Sequence, residues 1–109
     1  MQLRGIPLPV ANETEMQDAL ETQLKSMRLP FRREVKLDAA SRIDFLLFDS
    51  IGVEVKTRCP KRQIHRQLSR YAESPRIHAL ILVSATFTGL PKELNQKPLY
   101  FVHAGRAAL

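Results

Sequence analysis

The sequence predicts an α/β fold, a mixed central sheet flanked by helices in the order αβββαββ. Three observations lead there. In segments 13–27 and 61–74 apolar residues recur at three- and four-residue steps, the spacing of a helix face packed on a core. In segments 31–37, 42–48, 51–57, 78–84 and 98–102 they alternate or run continuously, as in strands. Finally, 109 residues with 44% hydrophobic content supply one modest core, so a single domain over 1–109 is expected.

Taken in order, the first ten residues carry Leu3, Ile6, Leu8 and Val10, but Pro7 and Pro9 forbid a regular helix or a central strand. Residues 1–11 are expected to form an extended arm. Asn12 is a good helix cap, and Glu15 three residues later completes a capping-box-like pattern, so a helix should begin at Glu13. It should run to about Met27 with Met16, Leu20, Leu24 and Met27 as its buried stripe, and Pro30 should end it. Strands follow over Phe31–Leu37 and Arg42–Phe48, with Asp38–Ser41 as the turn between them. A third strand, Ile51–Thr57, should pair with the second as an antiparallel hairpin. After Pro60, Lys61–Ser74 reads as a helix with Ile64, Leu68, Tyr71 and Ala72 on one face and Arg62, Arg66 and Arg70 largely on the other. His78–Ser84 is short and apolar enough for a buried strand, and Pro98–Val102 should form the last one after a loop over Gly89–Lys97.

Lysine and arginine number 17 against 11 acids, for a formal net charge of +6, which suits a polyanionic partner such as nucleic acid. The one cysteine, Cys59, leaves no internal disulfide, and neither a signal segment nor a membrane-spanning apolar run is present. A cytoplasmic setting without membrane contact is expected. His65, His78 and His103 lack the spacing of zinc ligands.

Charged residues stand where strands should be apolar. Asp44 interrupts Arg42–Phe48, and a buried carboxylate needs a partner. In the next strand, alternation sends Val53 and Val55 to one face and Glu54 and Lys56 to the other. A three-residue hairpin loop of Asp49, Ser50 and Ile51 would pair Phe48 with Gly52, Leu46 with Glu54 and Asp44 with Lys56, placing all three charges on one side. Asp44 and Glu54 offer the hard oxygens that Mg²⁺ or Mn²⁺ prefers. Lys56 is placed to orient the attacking water or to stabilise charge developing on a phosphate.

These residues resemble the PD-(D/E)xK phosphodiesterases, particularly the small VRR-Nuc proteins and archaeal Holliday-junction resolvases. Asp44 occupies the first acidic position, with Arg42-Ile43 where many members carry proline, and Glu54-Val55-Lys56 fits the ExK half. Gln67 to Tyr71 looks like the QxxxY element of the RecB-like branch. The resemblance spans roughly Glu13 to Ser84. It implies a restriction-endonuclease-like α/β sandwich and a metal site of Asp44, Glu54 and the Val55 carbonyl. It also implies a glutamate from the first helix, for which Glu13, in the sector of Met16, Leu20 and Leu24, is preferred over Glu15 and Glu21. Gln67 joins the expected catalytic set, beside the alternative of an interfacial glutamine. Lys61, Arg62, Arg66, Arg70, Tyr71 and Arg33 are the expected nucleic-acid contacts.

The expected function is a Mg²⁺- or Mn²⁺-dependent DNA endonuclease, selective for branched or flapped DNA and acting as a homodimer, since one small protomer offers one site. Its small size points to a phage or mobile element. A RecB-like exonuclease is the alternative within the resemblance, and a non-cleaving nucleic-acid-binding module on a nuclease fold is the alternative outside enzymes.

Overall fold

The computed structural model describes residues 12–86 and 89–105. The expected arm over 1–11 lies outside them. Elements follow in the order α1 (Glu13–Ser26), β1 (Phe31–Lys36), β2 (Arg42–Leu47), β3 (Ile51–Lys56), α2 (Lys61–Ala72), β4 (Ala79–Ser84), β5 (Glu93–Leu94) and β6 (Lys97–His103). The strands form one mixed sheet ordered β1-β2-β3-β4-β6-β5. β1, β2 and β3 are antiparallel neighbours, while β3, β4 and β6 run parallel. The α2 crossover makes the parallel step from β3 to β4 possible, because parallel neighbours need a long connection.

α1 starts where Asn12 Oδ1 accepts the Glu15 N–H at 2.8 Å. It stops short of Pro30: Arg28 turns left-handed at φ 57°, and the Leu29 N–H closes back on the Leu24 carbonyl at 3.1 Å. Met16, Leu20 and Leu24, fully buried, pack on Phe45, Leu47, Val53, Val55, Ile81 and Val83 across one face of the sheet. Burying each such side chain contributes about 1.5–3 kcal/mol. On the opposite face, Ile64, Leu68, Tyr71 and Ala72 of α2 pack on Ile43, Leu46, Leu80, Leu82 and Leu99. Among the described residues no helix is long and apolar enough to cross a membrane.

Two details depart from expectation. β5 lies inside the segment read as a loop, and pairs with β6 through a two-residue turn in which Asn95 and Gln96 both have positive φ. The β2–β3 hairpin turns one residue earlier than expected, at Phe48, Asp49 and Ser50. Phe48 and Asp49 are left-handed and the Ser50 N–H bonds the Leu47 carbonyl, leaving Phe48 exposed. Leu46 therefore pairs with Gly52 rather than with Glu54. Gly52 itself sits inside β3, where a Cβ would collide with the Ile43 side chain and crowd Leu80.

Candidate active site

β2 and β3 part company where the charged residues begin. Their ladder ends at the Phe45–Val53 pair, so Arg42, Ile43 and Asp44 on one strand and Glu54, Val55 and Lys56 on the other run past the last rung. β3 stays paired with β4 as far as Lys56–Ser84, so β2 is the strand that leaves. Its other neighbour bends with it. β1 pairs Arg33 with Phe45 and Val35 with Ile43, but Glu34 between them is left-handed at φ 55°. Across that point the strands exchange faces: Phe31 and Phe45 belong to the α1 layer, Val35 and Ile43 to the α2 layer. A left-handed glutamate costs about 1–2 kcal/mol, so strain is held beside Asp44.

Side-chain oxygens fill the fork. The Val55 N–H donates to Asp44 Oδ2 at 2.8 Å, and the Asp44 N–H points at Glu54 Oε1 at 3.4 Å. Each acid thus takes a backbone donor from the opposite strand. Lys56 Nζ stands 3.5 Å from Glu54 Oε2. From α2, the Tyr71 hydroxyl donates to the Arg42 carbonyl at 2.8 Å and lies 3.3 Å from Glu54 Oε2.

Glu54 is 2% exposed. Burial, reinforced by the Asp44 charge and only partly offset by Lys56, pushes its carboxyl up to about 8. The Asp44 carboxyl is also raised, by burial first and by the Glu13 charge, against the opposing pull of the Val55 N–H and Lys56. Burial and the two carboxylates hold the Tyr71 hydroxyl well above its usual range, so it remains a neutral donor. Two adjoining carboxyls that resist ionisation beside a single ammonium are short of positive charge. The donor set, hard oxygens in a low-dielectric fork, is the kind a hard divalent cation satisfies.

Asp44, Glu54 and Lys56 are therefore brought together, although Asp44 does not pair with Lys56 as expected. The two acids meet not across a ladder rung but through the backbone N–H that each carboxyl takes from the opposite strand, in the fork that opens beyond the Phe45–Val53 pair. Glu13 is close enough to raise the Asp44 carboxyl. Yet among the described residues no three acidic, histidine or cysteine side chains converge into a metal-ligating group. The physical reason is placement, since α1 covers one face of the sheet whereas Tyr71 of α2 meets Glu54 from the other. Gln67 is half-buried one turn before Tyr71.

Two expected nucleic-acid contacts need correction. Tyr71 is 2% exposed and its hydroxyl is spent inside the site, so it is a wall of the fork and not a surface platform. Arg33 is committed to α1: its guanidinium bonds Asp18 at 2.8 Å, Glu21 at 3.1 Å and Gln17 at 3.0 Å, and lies 5.6 Å above the Phe45 ring. Lys61, Arg62, Arg66 and Arg70 are exposed on α2, and none forms an ion pair with the described residues. The three arginines border a shallow depression of about 410 Å³ with His65, Ser69 and Glu73. The Arg42 carbonyl at the fork and the left-handed Glu34 backbone on β1 escaped sequence reasoning because neither has a side-chain signature. Comparison with known protein families, with curated proteins and with solved structures finds no match for this chain.

Proposed function

We propose that the chain is a divalent-metal-dependent DNA endonuclease, acting on branched or flapped DNA as a homodimer. The observation that carries this reading is the fork: two interlocked carboxyls, Asp44 and Glu54, with the Lys56 ammonium beside them. The resemblance of Asp44, Glu54-Val55-Lys56 and Gln67 to the PD-(D/E)xK pattern supports it. So do the α2 cations, which form no ion pair with the described residues, because phosphate contacts supply most non-specific affinity for DNA.

Asp44, Glu54 and the Val55 carbonyl would hold Mg²⁺ or Mn²⁺, with Glu13 as an outer charge. Such a cation supplies Lewis acidity toward a phosphate oxygen and makes water a better nucleophile. Lys56 places a fixed positive charge where negative charge grows as water oxygen bonds to phosphorus and the opposite ester P–O bond breaks. The basic face of α2 holds the flanking phosphates, and Gln67, between that face and Tyr71, offers its amide to the phosphate or the water.

α2 begins without a side-chain cap, with Pro60 before it and no acid in its first turn. Lys61 and Arg62 thus oppose the helix dipole, a stability cost that a phosphate-binding face would justify. Replacing Lys61 by Glu is expected to raise the melting temperature slightly, by about 0.5 kcal/mol of stability. DNA affinity should fall, with the log–log salt slope reduced by about 1. Unchanged affinity and slope would remove this helix from the DNA interface.

The proposal is tested by incubating the protein with linear, flapped and four-way DNA, with Mg²⁺ or Mn²⁺ and with chelator, alongside Glu54→Ala. Metal-dependent internal cuts lost in the variant are expected. Degradation from ends alone would favour an exonuclease, and binding without cleavage a non-cleaving module.

A further inference from the structure

The strand fork lacks backbone bonds that would fix its width, and Glu54 reaches into it on a flexible side chain. From outside the two strands, Tyr71 of α2 touches both arms. Its ring is locked in the α2 layer with Ile64, Leu68 and Ala72, leaving only the hydroxyl at the fork. That hydroxyl has a single proton, and the nearer acceptor is the Arg42 carbonyl at 2.8 Å on the β2 arm. Anchored there, the oxygen stands 3.3 Å from Glu54 Oε2 on the β3 arm and limits where that carboxyl can sit. The other Glu54 oxygen is thereby directed at the Asp44 N–H, and Asp44 in turn at the Val55 N–H.

We propose that Tyr71 is a positioning residue of this site: its hydroxyl, fixed on the Arg42 carbonyl, sets the separation of the two strands and the orientation of the Glu54 carboxyl. The inference rests on the nuclease reading only for its catalytic consequence, since the spacing role belongs to the protein without ligand. A tyrosine that merely fills the core would lose nothing at the fork when the ring is kept and the hydroxyl removed.

The test is Tyr71→Phe in the full chain, read in two ways. Amide hydrogen exchange at Asp44 and Val55, whose N–H groups bond the two carboxyls, is expected to accelerate roughly tenfold, while the β4 amides from Leu80 to Val83 keep wild-type protection. DNA cleavage should show kcat lowered about ten- to hundred-fold, the scale on which misplacing a reacting group acts, at unchanged KM. Wild-type exchange at Asp44 and Val55 overturns the proposal, as does equal acceleration across β4, which would mark general destabilisation. Wild-type kcat in a variant with a loosened fork also overturns it. If the native protein does not cleave DNA but the exchange pattern holds, the nuclease reading fails and the spacing role stands.

Discussion

Asp44→Asn is expected to lower metal-dependent DNA cleavage by about a thousand-fold or more, the scale on which removing one preorganised electrostatic group acts. The substitution preserves shape, and its amide oxygen can still accept the Val55 N–H that Asp44 Oδ2 accepts now. The fold should therefore survive, as a retained melting transition would show. What disappears is the charge. An asparagine side chain offers a weaker oxygen to a hard cation, so the loss should fall on kcat and on metal dependence more than on KM for DNA. Wild-type turnover by the Asp44→Asn protein would remove Asp44 from the chemistry.

The second large effect concerns stability and pH. Glu54 has an ordinary carboxyl in the unfolded chain, near 4.5, but one pushed up to about 8 in the fold. Below about 4.5 both states hold the proton and stability does not depend on this group. Between there and about 8 the unfolded chain has released its proton while the folded one keeps it, so stability falls as pH rises. Above that window both are ionised and the full penalty applies. Each tenfold change in proton affinity corresponds to about 1.4 kcal/mol, so the penalty reaches a few kcal/mol, with Asp44 adding in the same direction. Glu54→Gln should therefore flatten the dependence and melt higher than wild type at pH 8, with little difference at pH 4.5, while abolishing cleavage. Thermal denaturation across that range checks it. Parallel pH profiles for the two proteins would mean that Glu54 is not held protonated by its surroundings. A site that weakens its own fold is the expected signature of charges arranged for a ligand.

Much of the architecture was legible because period decides it. The 3.6-residue spacing of Met16, Leu20 and Leu24, and of Ile64, Leu68 and Tyr71, is a packing requirement that sequence displays directly, and both stripes are buried. The grouping of Asp44 with Glu54 was legible for a different reason: both are acids set in apolar strands of one hairpin, which keeps them close even though β2 leaves the ladder and exchanges faces at Asp44. Turns were harder. Phe48 looked like the end of a strand, yet it occupies a left-handed turn position, and Asn95-Gln96 forms a tight hairpin without the glycine that usually announces one. The break at Glu34 left no sequence trace, because nothing in a glutamate between Arg33 and Val35 signals positive φ.

The site followed the same division. Asp44, Glu54 and Lys56 stood out as charges inside apolar strands. Arg33 and Tyr71 could be assigned only by their partners, which are distant in sequence: Asp18 and Glu21 for the guanidinium, Arg42 and Glu54 for the hydroxyl. Without those partners in view, an arginine in a basic chain and a tyrosine on a basic helix both look like contacts for DNA.

Everything functional depends on whether Asp44 and Glu54 hold a hard cation. Titrating Mn²⁺ into the full chain at pH 8, followed by electron paramagnetic resonance, measures that without any DNA. Saturable binding is predicted for the wild-type protein, weakened at least about 100-fold in Asp44→Asn and in Glu54→Gln. Binding of equal strength in all three proteins, or none in the wild type, would contradict a cation site in the fork.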